Sequence, residues 1–225
     1  VTLTATTSAL PAPAGTASVS RLKPIRSSPI PMARVTSLCV YCASSIKVDQ
    51  AYQDAAVELG TIMAQQGVRL VFGGGRVGLM GLLADAVMAG GGEVVGVIPR
   101  HLDEAEIGHQ GVTELHVVDN MHVRKEMMFR LADAVAVLPG GLGTLDETFE
   151  MITWRQLGLH DKPILIVDVG GFWQPFLDLV DHVCDTGFAS PKARELFTTV
   201  ASVDELLPTI RALPEPKVVP FLDRI

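Results

Sequence analysis

Aromatic residues make up only 5% of the chain. A surface that stacks nucleic-acid bases needs several of them, so no such platform is expected. Long basic runs are missing too, and the formal net charge is −7. That argues against nucleic acid as the partner, because phosphate backbones are held by clustered Lys and Arg. A local basic site for one phosphate stays open. The three cysteines, Cys39, Cys42 and Cys184, are too few for a disulfide framework. A reducing cytoplasm is the expected compartment. No apolar stretch reaches the length of a membrane span, so no membrane partner is expected. His101, His109, His116, His122, His160 and His182 show no H-E-x-x-H or similar spacing. They read as scattered surface or capping residues, and no metal site is expected.

What is present suits one α/β domain. Of 225 residues, 48% are hydrophobic, ample for a core. Residues 1–34 stand apart. They are rich in Thr, Ser, Ala and Pro, carry no acid, and lack the apolar core of a secretory signal. We read them as a disordered extension, or as the product of an upstream start, since Met32 directly precedes the first apolar run. Residues 35–225 form the expected domain.

There, short apolar runs alternate with amphipathic stretches. The runs begin with "VTSLCVY" at Val35, "VRLVFGG" at Val68, "GEVVGVIP" at Gly92 and "TELHVVDN" at Thr113. "AVAVLPG" at Ala134, "KPILIVDVGG" at Lys162 and a short one near "LFTTV" follow. Near-continuous apolar runs are how parallel strands covered on both faces should look. Helical stretches separate them, the first capped by Asp49 and closed by Gly67. The β-α-β-α order predicts a Rossmann-like, doubly wound parallel sheet with helices on both faces. Cys39 and Cys42 make a C-x-x-C, but inside an apolar run rather than at a helix start, so they read as core.

Two glycine clusters punctuate this order: "FGGGRVGLMG" from Phe72 and "PGGLGTLDE" from Pro139. Each follows a strand and opens a helix, at the carboxyl end of the sheet where such folds bind ligands. Glycine lets a ligand approach the backbone. The helix start offers free N–H groups and partial positive charge, which suits phosphate. Thr144 reads as the N-cap, and Glu147 then falls in the first helical turn, where the macrodipole favours a carboxylate. Candidate phosphate-turn residues are Ser44, Ser45, Gly74, Gly75, Gly140, Gly141, Gly143 and Thr144, with Arg76 a lesser one. Neither cluster is G-x-x-x-x-G-K-[ST], which disfavours a P-loop. The first βα turn, "CASS", has serines where a dinucleotide fingerprint has glycines, which weakens an NAD(P)-dependent oxidoreductase.

"PGGLGTLDE", with "YCASS", "VFGGGRVGLMG", "VIPRHL", "MHVRKEMM" and "ITWRQLGLHDKP" in order, resembles the lonely-guy family of cytokinin riboside 5′-monophosphate phosphoribohydrolases. The resemblance runs from about Val35 to the C-terminus. It implies hydrolysis of the N-glycosidic bond of an adenosine 5′-monophosphate, N6-modified or plain, to free base and ribose 5-phosphate. It implies no cofactor, and a homodimer. Arg124 and Glu147 match the family's catalytic positions, and Glu106, Lys125, Thr153 and the loop Gly141–Thr144 its substrate contacts. Some relatives carry the label lysine decarboxylase, but no lysine here stands in a context for pyridoxal phosphate.

The chemistry stands without the family. Breaking a ribosyl–base bond passes through an oxocarbenium-like state. A carboxylate beside the sugar stabilises it and can activate water. Asp146 points about 100° away from Glu147 and reads as solvated. Arg124 and Lys125 at a helix start point to an anion nearby; the plainer alternative is pairing with Glu126 or Asp133. Helices "GLMGLLADAVM" and "KEMMFRLAD" offer apolar surface to a dimer or to the core. A non-catalytic nucleotide-binding module and an oxidoreductase remain the alternatives.

Overall fold

The computed structural model describes residues 34–105 and 108–216. All but Arg34 of the N-terminal extension, and Glu106 among the candidate contacts, lie outside them.

Seven strands form a single sheet. They are β1 (Ser37–Tyr41), β2 (Arg69–Phe72), β3 (Val94–Pro99), β4 (Glu114–Val118), β5 (Ala134–Val137), β6 (Ile164–Val167) and β7 (Thr198–Val200). Their order is β4-β3-β2-β1-β5-β6-β7, and every neighbouring pair is parallel. The chain winds outward from β1 to β4, then returns to lay β5 beside β1, with Cys39 between Val71 and Val135. The crevice between β1 and β5 is therefore the point where the winding reverses, the usual ligand position in such sheets.

Alternation along β1 sorts the core into two layers. Leu38 and Val40 pack under α1 (Gln50–Gln65), α2 (Gly78–Ala89) and α7 (Leu206–Ala212). Cys39 and Tyr41 pack on the other face, under α4 (Met121–Leu131), α5 (Leu142–Gln156) and α6 (Gln174–Asp185). A one-turn helix, α3 (Arg100–Asp103), follows β3 and has no counterpart in the sequence reading; four residues are too few for a periodic signal.

The C-x-x-C is split by this alternation. Cys39 belongs to one layer and Cys42 to the other. Burial pushes the Cys39 thiol up to about 12 and raises that of Cys42 as well. Two neutral thiols on opposite faces of a sheet are packing residues. His160 departs from the surface role expected of it. It is buried, its Nε2 lies 2.9 Å from the carbonyl of Met151, and desolvation lowers its pKa to about 4. It is a neutral core histidine that ties the end of α5 to the approach to β6. The apolar residues of α2 and α4 are also mostly interior: Leu79, Leu83, Ala84, Val87, Met128 and Phe129 are buried. Those residues line the core.

Candidate active site

Both glycine loops leave the carboxyl edge of the sheet, one after β2 and one after β5. Gly140 and Gly141 flank the β1–β5 crevice, and Ser44 and Ser45 flank it from the end of β1. The Ala43 amide donates to the carbonyl of Pro139 at 3.2 Å, binding the two turns together. Ser44 and Ser45 are exposed there.

α5 begins three residues earlier than the sequence suggested. Its N-cap is Gly141, which brings no capping side chain, and Thr144 is the third helical residue. The reason is local. Gly-Leu-Gly holds no side chain that could announce a cap, so Thr144 drew the assignment. Thr144 is instead buried, with its hydroxyl side against Gly140, where an added Cβ would lie 2.1 Å from Oγ1. The first-turn N–H groups of α5 are thus left to solvent or ligand. α2 likewise starts without a side-chain cap at Val77, whereas Asp49 and Asn120 cap α1 and α4.

The shift in the helix start moves Glu147 into the second turn, where the macrodipole has largely faded. Its surroundings decide its charge instead. Glu147 is buried, and desolvation lifts its carboxyl to about 7; Arg124 pulls the other way without cancelling burial. The expectation that the helix dipole favours the ionised form gives way to a carboxyl whose ionisation is set by burial and by Arg124.

Arg124 is the fourth residue of α4 and is also buried. Nη1 donates to Glu147 Oε1 at 3.0 Å, Nε to the Val97 carbonyl at 3.1 Å, and Nη2 to the Gly73 carbonyl at 3.2 Å. Three of its five N–H donors thus pin it to β3, the first glycine loop and α5. The anion that Arg124 answers is Glu147, not Glu126 or Asp133. Glu126 pairs with Arg130, and Asp133 accepts from Thr36 and Ser37. Lys125 reaches Asp146 at 3.2 Å and Glu150 at 3.0 Å. Asp146 is exposed, as its direction around the helix required, and Glu150 was missed altogether. Its signal was the three-residue spacing from Glu147, which puts both carboxylates toward one side of a helix.

The remaining candidates are placed as follows. Gly74 and Gly75 are buried beneath segment 108–112, with Gly75 bridged to Gly108 and the Gly74 carbonyl accepting from the His109 amide at 2.8 Å. Arg76 is exposed beside Asp103, Gly108 and Gln110. Gly141 and Gly143 are exposed, and an added Cβ would meet nothing within 4 Å at either. Thr153 is exposed in the last turn of α5, six residues beyond Glu147 and so about 9 Å further along the axis. Within one chain it is not brought to the Arg124–Glu147 pair. Among the described residues no group of His, Cys, Asp and Glu side chains could hold a metal ion.

Known proteins resemble this chain in both sequence and shape. Residues 80–210 match the family described as "Possible lysine decarboxylase". The cytokinin riboside 5′-monophosphate phosphoribohydrolase LOG of Oryza sativa is 46% identical over 77% of this chain and 72% of its own length. Its Arabidopsis thaliana counterpart LOG1 is 45% identical over 76% of this chain and 80% of its own. Among solved structures, a molybdenum cofactor binding protein from Rippkaea orientalis superposes with a TM-score of 0.60 at 18% identity. It covers 79% of this chain and 96% of its own. The molybdenum cofactor carrier protein of Chlamydomonas reinhardtii does so with 0.59 at 21%, over the same shares. At such identities the likeness concerns the fold alone. The sequence relatives go further: at nearly half identity over about three quarters of this chain, they show that it is a member of the lonely-guy family of cytokinin riboside 5′-monophosphate phosphoribohydrolases.

Proposed function

We propose that this protein hydrolyses the N-glycosidic bond of a nucleoside 5′-monophosphate, an N6-modified adenosine monophosphate above all, releasing the free base and ribose 5-phosphate. The observation that carries this reading is the buried Arg124–Glu147 pair at the foot of an uncapped helix start, beside glycines whose bareness no neighbour requires. The relatives' name supplies the substrate class.

In this reading the phosphate lies on the first-turn N–H groups of α5 and the bare backbone of Gly141 and Gly143. Ser44, Ser45, Gly140 and Thr144 shape the same crevice. The first loop, with Gly74, Gly75 and Arg76, stands on the other side of β1, and Glu106 is a further candidate substrate contact. Glu147 faces the ribose. As the C1′–N bond lengthens, its electron pair leaves with the base and positive charge grows on the sugar. An ionised Glu147 stabilises that charge and takes a proton from the attacking water, and the departing base nitrogen takes up a proton from solvent, so that the neutral base is released. A carboxyl poised near neutrality suits such a base. Arg124 holds Glu147 in place. No metal and no cofactor takes part in this scheme.

The protein acts in this proposal as a cytoplasmic homodimer, with no nucleic-acid or membrane partner. Among the described residues no helix is long and apolar enough to cross a membrane. Apolar surface for a second copy lies on α5 and its surroundings, where Leu142, Phe149, Leu157 and Leu179 are exposed, and at the start of α4, where Met121 and Val123 are. Thr153 shares that helix, so a second copy seated there would bring it toward a site.

The test is incubation with AMP and with isopentenyladenosine monophosphate, with base and ribose 5-phosphate read by chromatography. Equal release of both products supports the reading. Calorimetric nucleotide binding without release would make the protein a binding module, and retained NAD or NADP absorbance would favour an oxidoreductase.

A further inference from the structure

Glu147 does not sit in an isolated ion pair. Glu150, three residues on, presents its Oε2 to Lys125 Nζ at 3.0 Å, and Asp146 Oδ2 lies 3.2 Å from the same ammonium. The Lys125 and Glu150 side chains are 14% and 21% exposed, and Asp146 is 63% exposed. Glu150 Oε2 is itself buried and makes no aligned hydrogen bond, so the Lys125 charge is what offsets its burial. Burial works against the Lys125 charge, yet the contacts with Glu150 and Asp146 hold its pKa above the ordinary value.

The arrangement links neighbouring residues of α4 to one side of α5. Arg124 meets Glu147, and Lys125 meets Glu150. Among the described residues, the groups that other elements bring toward Glu147 are neutral: Tyr41 and Cys39 from β1, and Cys42 from its end, each held protonated by burial. The charged groups acting on Glu147 are thus Arg124 and Lys125 from α4 and Asp146 and Glu150 from its own helix. Asp146 is the stronger of the two acidic influences on Glu147, but it faces water, which screens it. Glu150 is the half-buried acid.

We propose that Glu150 is a positioning residue of this site, anchoring Lys125 between α4 and α5 and through that ion pair fixing the alignment and charge of the Arg124–Glu147 pair. This rests on the hydrolase reading above. Glu150 touches no substrate in it. It acts through Lys125, which is also a candidate substrate contact, and through the field at Glu147.

The two partners should act on Glu147 with opposite sign, which a purely structural brace would not do. Glu150→Gln removes a negative neighbour, so Glu147 should ionise at lower pH. Lys125→Met removes a positive one, so Glu147 should ionise at higher pH, each by roughly half a unit or more. The primary readout is a carbon-13 carboxyl titration in the wild type, Glu150→Gln and Lys125→Met, with the Glu147 signal assigned from Glu147→Gln. It reads the charge whether or not base is released. The acid limb of kcat/KM for AMP should move with it, and kcat should fall about tenfold in Glu150→Gln. Restoring the carboxylate as Glu150→Asp should return the Glu147 titration toward that of the wild type. Opposite shifts support the proposal. Shifts of the same sign, or an unmoved Glu147 in Glu150→Gln, overturn it. A wild-type protein that binds AMP but releases no base overturns the hydrolase reading instead, and the titration, which reads the Glu147 charge without turnover, separates the two failures.

Discussion

The two glycine loops leave the same edge of the sheet, follow the strands on either side of β1 and open helices without side-chain caps, yet their glycines are bare for different reasons. In the first loop the fold itself excludes side chains. A Cβ on Gly73 would lie 1.9 Å from Arg124 Nη2, one on Gly78 would lie 2.2 Å from the Ser44 carbonyl carbon, and one on Gly81 would lie 2.2 Å from the Arg76 carbonyl oxygen. Gly74 and Gly78 also hold φ of 73° and 70°, a region that favours glycine. In the second loop only Gly140 is crowded, by Thr144, while Gly141 and Gly143 face open space with ordinary φ. One loop is scaffold that seats Arg124. The other is bare where nothing in the protein requires it, as expected of a surface that a ligand covers.

The sharpest way to break this comparison is Gly73→Ala. The Arg124 guanidinium is fixed by three hydrogen bonds and cannot swing aside without releasing Glu147 or Val97. Base release should fall on the order of a hundredfold, with a stability loss of about 1–2 kcal/mol from overpacking. Chromatographic assay and thermal melting on one sample check both. A fully active Gly73→Ala would remove the scaffold role from the first loop.

The next effect is one of pH. Glu147, raised to about 7 by burial, must be ionised to act in the proposed scheme. The wild-type kcat/KM should therefore drop about tenfold per unit below pH 7 and level off above it. A profile flat down to pH 5 would place the working group elsewhere.

The smallest effect is the most discriminating. Gly143 is the second residue of α5, exposed and without neighbours. Gly143→Ala should raise stability by about 0.5–1 kcal/mol, because alanine is the better helix former. It should also weaken AMP binding several-fold, because the new methyl stands where the phosphate belongs. Denaturant melts and calorimetry read the two. If the variant is more stable and binds AMP as tightly as the wild type, the second loop is no cradle.

Sequence pattern revealed the sheet well, since buried parallel strands such as "AVAVL" have little alternative as apolar runs bounded by Gly and Pro. It was weaker at the site, for identifiable reasons. The start of α5 was misplaced because the true cap is a glycine, which lacks the side chain that marks the starts of α1 and α4. The charge of Glu147 was misjudged because burial is a tertiary property, whereas the helix dipole can be read from local position. The two glycine clusters look alike in sequence because a residue without a side chain does not record what excluded it. His160 was taken for a surface residue for a similar reason: its only marker, burial against Phe129 and Met151, joins α4, α5 and the β6 approach across the chain.

The central claim is that the carboxylate of Glu147, held by Arg124 behind the second loop, acts on the sugar. Glu147→Gln tests it most directly, because the amide keeps size and shape and removes only the charge. Nucleotide affinity is measured by calorimetry and base release by chromatography, on the same folded protein. The account predicts affinity within a few-fold of the wild type and release reduced on the order of a hundredfold or more, about 3 kcal/mol in the barrier. Release of base from AMP and isopentenyladenosine monophosphate at the wild-type rate would contradict it.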